Sequence, residues 1–308
     1  MKVLIVGTGA IGGFYGALLA KQGAEVSVVC RGDYDTVKTH GIYIQSTLGE
    51  WTFQPDAVYR HAGEVPSPPD YVILCTKVLP HVDRVALIRE AVGPETAITL
   101  IQNGVEIEDE LAKAFPDNEL ISGLAFVCVS RTKSGHVWHQ AYGHLMFGRY
   151  PAGITPKVTA LCDTFNKSGI SAKAMEDIVA ARWQKCVWNA PFNPLSVLSG
   201  GLYTSDILDN QEAFVRQLMT EVCTIAEATG HPLPPDVIDK NIANTYKMPP
   251  YKTSMLLDFE AGRPMETEAI LGNAVRAGQR EGVAIPRLES VYALMKLREL
   301  ARQKSTTP

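Results

Sequence analysis

The chain changes its hydrophobic rhythm a little past its midpoint. Up to about residue 175 the apolar positions come in short runs: KVLIVG (2–7), EVSVVC (25–30), YVILCTK (71–77), AITLIQNG (97–104) and LISGLAFVCVS (120–130). Most lack polar alternation, as strands buried on both faces do. Helical spacing fills the gaps, for example at 11–21 and 81–91, so the pattern predicts an open parallel sheet covered by helices. Two further stretches, IYIQSTLGEWTFQPDAVY (42–59) and SGHVWHQAYGHLMFGR (134–149), read as antiparallel hairpins attached to that sheet.

After residue 176 the strand signal stops and four helical periodicities take over, at 178–198, 207–229, 266–281 and 288–302. In the last, Leu288, Val291, Tyr292, Met295 and Leu300 fall close to one stripe. The expected organisation is an α/β domain over 1–175 and an all-α domain over 176–308, with the closing KSTTP frayed.

Composition narrows the classes of partner. Of 308 residues 46% are hydrophobic and 20% charged, and 29 Lys and Arg against 33 Asp and Glu leave a formal charge of -4. No general attraction to nucleic acid or an anionic membrane follows, so any anion is bound by local groups. The six cysteines form no CxxC pair, as expected of reduced thiols in the cytoplasm. Glycines at 7, 9, 12, 13 and 16 break the apolar N-terminal stretch, which suits a turn better than a signal peptide or membrane span. A homodimer is compatible with the sequence, but nothing in it fixes the assembly.

The first candidate site is Gly7-Thr8-Gly9-Ala10-Ile11-Gly12, a G-x-G-x-x-G run directly after an apolar strand and directly before a helix. Gly7 permits a tight turn, Gly9 lets a pyrophosphate approach the backbone, and Gly12 allows close packing of helix on strand. A helix N-terminus then offers N–H groups to the anion. At the end of the second strand, where an NAD site usually carries a carboxylate, stands Arg31, whose planar fork suits a 2′-phosphate. NADPH is therefore favoured; the competing reading has Asp33 take the ribose. Lys77 and Asn103, at the ends of two later strands, belong on the ligand side of such a sheet. Lys77 could hold cofactor or substrate charge, and Asn103 the nicotinamide ribose or the substrate.

In the helical half, Lys185, Asn189 and Asn193 recur every four residues and would fan over roughly 80° of one helix face. Trp183, Val187, Trp188 and Phe192 are apolar enough to bury much of that helix, and buried asparagines need partners. Pro191 and Pro194 are expected to kink it or end it early. Histidines 136, 139 and 144 do not make a metal site, because 136 and 139 point to opposite faces of a strand and no cysteine cluster joins them.

The G-x-G-A-I-G opening, the basic residue after the second strand, T-K and Q-N-G at later strand ends and the K-x-x-x-N-x-x-x-N-P-L run resemble the ketopantoate reductase family. Ser254-Met255-Leu256-Leu257-Asp258 and Glu266-Thr267-Glu268 continue the likeness, which covers nearly the whole chain. It implies a Rossmann-type α/β domain joined to an all-α domain resembling the C-terminal domain of 6-phosphogluconate dehydrogenase. The activity it implies is NADPH-dependent reduction of 2-dehydropantoate to pantoate, on the way to pantothenate and coenzyme A. By the same resemblance Lys185 and Glu266 are catalytic, with Glu268 the competitor of Glu266. Asn103, Asn189, Asn193 and Ser254 bind substrate, while residues 7–12, Arg31, Lys77 and Asn103 bind the cofactor. Glu266 would pair with Lys185 and keep it charged. Two alternatives remain open here: a reductase of another small 2-oxo acid, and a non-catalytic NADP sensor.

Overall fold

In the computed structural model, which describes residues 1–306, the chain divides into two units: residues 1–102 with 108–178, and residues 103–107 with 179–308. The first unit opens with β1 (Lys2–Val6), α1 (Ala10–Lys21), β2 (Glu25–Val29), α2 (Tyr34–His40), the hairpin of β3 (Ile42–Ser46) and β4 (Gly49–Phe53), and the short β5 (Val58–Tyr59). It continues through β6 (Tyr71–Leu74), β7 (Ala97–Ile101), α3 (Asp109–Ala114), β8 (Leu120–Lys133), β9 (His136–Arg149), α4 (Pro156–Lys167) and β10 (Ala172–Ala174). One sheet takes them in the order β4-β3-β9-β8-β7-β6-β1-β2-β5, with β10 beside β9.

The five apolar runs are β1, β2, β6, β7 and β8, and they pair in parallel as β2-β1-β6-β7-β8. β6 and β7 are buried at every residue, which explains their lack of alternation. Phe14, Tyr15, Leu18 and Leu19 of α1 enter the same core as Ile5, Val26 and Phe147. Each fully buried side chain of this kind contributes roughly 1.5–3 kcal/mol. Chain order reverses at β1, whose neighbours are β2 and β6, and such a switch opens a crevice at the strands' carboxyl ends.

Two local expectations fail in this unit. Residues 81–91 form turns and one 3-10 turn, Arg89–Ala91, instead of a helix. The Arg84 side chain is buried and donates to Glu110 at 2.7 and 3.1 Å and to Gln102 at 3.2 Å, while the Asp83 carboxylate accepts from the Ala86 N–H. These bonds draw the segment inward against its helical periodicity. The stretch 134–149 is not a hairpin in itself. It supplies the turn and then the single long strand β9, antiparallel to β8.

The second unit contains α5 (Ile178–Leu198), α6 (Thr204–Ala228), α7 (Val237–Tyr246), α8 (Ser254–Glu260), a π-helical turn (Glu268–Gly272), α9 (Asn273–Arg280) and α10 (Pro286–Thr306). Trp183, Val187 and Phe192 of α5 share a core with Leu218, Met219 and Val222 of α6 and with Leu288 and Met295 of α10. α5 runs through Pro191 and Pro194 to Leu198 without ending early. Burial of its apolar face outweighs the hydrogen bonds the two prolines remove. The helix expected over 266–281 carries the π turn near its start. Leu300 is 46% exposed and leaves the buried stripe, because five residues beyond Met295 it has turned roughly 140° away from it. The tail is helical through Thr306 instead of frayed, and its last two residues lie outside the described residues.

Candidate active site

The carboxyl end of β1 delivers Gly7, Thr8 and Gly9 to the start of α1, with Ala10, Ile11 and Gly12 in its first turn. A Cβ on Gly12 would stand 2.1 Å from the Gly7 carbonyl oxygen and 2.9 Å from Ile5, so no other residue allows this approach of helix to strand. A Cβ on Gly9 would meet nothing within 4 Å, which leaves the backbone open to a ligand. The first turn of α1 has no acidic side chain, and its leading N–H groups lack partners within the helix. An open cleft of about 180 Å³ lies here, lined by the ends of β1 and β2, Arg31, Asp33, Thr76 and Arg131. This cradle fits a dinucleotide pyrophosphate.

Arg31 is exposed on the cleft wall and has no ion-pair partner among the described residues. Asp33 is buried, and both its carboxylate oxygens are engaged: Oδ2 accepts from Arg131 at 2.5 Å and Oδ1 from Ser134 at 3.0 Å. Lys77 is half-buried and falls just outside the lining, which its neighbour Thr76 joins. Arg131 and Ser134 escaped sequence reasoning because they lie about a hundred residues from Asp33 and carry no motif.

The second candidate group lies wholly in the helical unit. Just past β7, residues 103–107 are held by that unit: Arg182 donates to the Gly104 carbonyl at 3.1 Å, the Val105 N–H to the Ala269 carbonyl at 3.1 Å, and Asn273 to the Val105 carbonyl at 2.7 Å. Gly104 has φ +115°, and a Cβ there would stand 2.6 Å from the Ala269 oxygen, so glycine is required twice over. Fixed in this way, Asn103 Oδ1 accepts a hydrogen bond from Lys185 Nζ at 2.5 Å.

Burial first, and the positive charge of Arg182 second, bring the Lys185 ammonium down to about 8, against an opposing pull from Glu266. Glu266 acts in the expected direction, favouring the charged amine, though burial and Arg182 together outweigh it. Glu268, two residues on, faces other partners, accepting from Arg276 at 2.9 Å, Lys296 at 2.6 Å and the Tyr292 hydroxyl at 2.8 Å. Burial would raise its carboxyl, but these donors together hold it at about 2.

Asn189 and Asn193 follow Lys185 along α5, both buried. The amide nitrogen and oxygen of Asn193 are sealed from solvent with no hydrogen-bond partner among the described residues, an arrangement that asks for a polar ligand. Ser254 is exposed at the first position of α8, beside Thr253, which caps that helix through the Leu256 N–H and shares a 2.8 Å hydrogen bond with Ser196 of α5.

Models of two families match the chain, ketopantoate reductase PanE/ApbA over residues 3–152 and ketopantoate reductase PanE/ApbA C terminal over residues 177–299. The chain belongs to the ketopantoate reductase family. A 2-dehydropantoate 2-reductase of Nostoc sp. is 34% identical over 96% of this chain and 94% of its own. A crystal structure of 2-dehydropantoate 2-reductase from Methylococcus capsulatus superimposes with a TM-score of 0.95 at 63% identity, covering 98% of each chain. Another from Geobacter metallireducens gives 0.91 at 34% identity, covering 97% of this chain and all of that one. As a ketopantoate reductase family member the chain is an oxidoreductase that works with a nicotinamide cofactor, and the cradle between β1 and α1 has the form such a cofactor needs.

Proposed function

We propose that this protein reduces the ketone of 2-dehydropantoate to pantoate with NADPH, and that Lys185 is the proton donor. The observation that carries this reading is the Lys185 amine, hydrogen-bonded to Asn103 and brought down to about 8. A catalytic acid works best with a pKa near the operating pH. Family membership supports the substrate, and the exposed Arg31 beside the glycine cradle supports the 2′-phosphate of NADPH, since the neighbouring carboxylate of Asp33 is already engaged.

When bound, the reduced nicotinamide supplies a hydride to the ketone carbon. Negative charge then grows on the carbonyl oxygen, where the Lys185 ammonium stabilises it and transfers one proton, leaving a neutral amine that is reprotonated from solvent. Asn103 orients that amine through its side-chain oxygen. Glu266 adds negative potential that favours the charged form before transfer. Asn189, Asn193 and Ser254 offer uncharged hydrogen bonds to the carboxylate and hydroxyl of a small 2-oxo acid. Gly7 to Gly12, Arg31 and, at the rim, Lys77 hold the cofactor. The protein works in the cytoplasm in this reading, as a step toward pantothenate.

The test is NADPH oxidation followed optically with 2-dehydropantoate and with a panel of other 2-oxo acids. The expected result is a kcat/KM highest for 2-dehydropantoate, reduced about 10²–10⁴-fold by Lys185→Ala while NADPH still binds. A higher kcat/KM on another oxo acid would move the substrate. Cofactor binding without turnover on any of them would make the protein a sensor.

A further inference from the structure

We infer that Arg131 is a second determinant of the choice of cofactor, working beside Arg31 and held in position by Asp33. The inference rests on the reading that the cleft takes NADPH. Three ionised side chains line that cleft: Arg31 and Asp33 after β2, and Arg131 from the far half of β8. The carboxylate that follows the second strand is the group that elsewhere accepts a hydrogen bond from a ribose 2′-hydroxyl and repels a 2′-phosphate. Here Asp33 can do neither freely. Its Oδ2 is taken by Arg131 Nη1 at 2.5 Å and its Oδ1 by the Ser134 hydroxyl at 3.0 Å.

The pair is asymmetric. The side chain of Asp33 is 10% exposed and that of Arg131 is 45% exposed, so the anion is shielded while the cation remains open to the cleft. No other side-chain hydrogen bond of Arg131 occurs among the described residues. One nitrogen of its planar fork is spent on Asp33, which leaves the opposite edge, Nε and Nη2, for two parallel bonds to a phosphate. Arg31 and Arg131 together thus present two guanidinium groups around a neutralised carboxylate. A half-exposed ion pair of this kind adds little to stability, so its effect is expected in ligand selection.

The experiment measures KM and kcat for NADPH and NADH at saturating 2-dehydropantoate, with inhibition by adenosine 2′,5′-bisphosphate and by AMP as probes of the 2′-phosphate alone. The proteins are wild type, Arg31→Ala, Arg131→Gln, Arg131→Lys and the double variant Arg131→Gln with Asp33→Asn, each checked for an unchanged melting temperature. Arg131→Gln uncovers Asp33, so the KM for NADPH should rise about tenfold, equivalent to about 1.4 kcal/mol, and that for NADH should fall, kcat changing far less. Arg131→Lys should fall between wild type and Arg131→Gln. The double variant should recover part of the NADPH affinity without the gain toward NADH. If Arg131→Gln leaves the NADPH to NADH ratio unchanged while Arg31→Ala lowers it, the inference is overturned and the NADPH reading stands. A wild-type preference for NADH would overturn both.

Discussion

At the scale of single residues, the pH dependence should follow Lys185. Its ordinary value of 10.5 is brought down to about 8 by burial and by Arg182, so the ammonium proposed to donate the proton is present below about 8 and lost above it. The kcat/KM for ketone reduction should therefore be level at lower pH and fall as pH rises through about 8. Oxidation of the alcohol in the reverse direction needs the neutral amine and should rise through the same value. A pH profile of both directions checks this, and a falling limb near 10.5 would mean that the amine acting in catalysis is unperturbed. The Lys185, Asn189 and Asn193 series was legible in the sequence because one helix face brings residues four apart together. The ties of Asp33 to Arg131 and Ser134 were not, since only sheet pairing brings those residues near each other.

At the scale of elements, local pattern succeeds where burial and propensity agree. The five apolar runs are strands because both faces of each are covered, and α5 survives two prolines because its apolar side chains fill a core. It fails where a single polar group has a stronger tertiary claim, as Arg84 has over residues 81–91. The short segment after β7 depends on one backbone conformation. Gly104→Ala would put a side chain at φ +115° and a methyl group 2.6 Å from the Ala269 oxygen. The expected cost is about 1–3 kcal/mol of stability, read by denaturant unfolding, together with a loss of kcat as Asn103 shifts away from Lys185. Unchanged stability and turnover would show that the segment adapts.

At the scale of the whole molecule, the change of rhythm near residue 175 separated a sheet unit from a helical one. It could not show that residues 103–107 group with the helices, because that depends on Arg182, Ala269 and Asn273 far along the chain. Thiol chemistry gives a global check. All six cysteines carry unbridged thiols, and burial raises Cys30, pushes Cys75 far up, Cys186 to about 12, and Cys162 and Cys223 to about 11. With so little thiolate at these positions near neutral pH, they should react slowly with a disulfide reagent in the native protein, and all six thiols should titrate in denaturant without reductant. A total below six would reveal a disulfide.

On the proposed reading of Asn193 as a substrate-binding residue, its unmatched amide would give the reductase a means of discrimination that acts by penalty. A guest that brings a hydroxyl or carboxylate to that amide relieves a cost the folded chain already bears, whereas an analogue trimmed to hydrocarbon at the same point leaves the cost in place. In that role Asn193 would reject the wrong molecule more sharply than it embraces the right one.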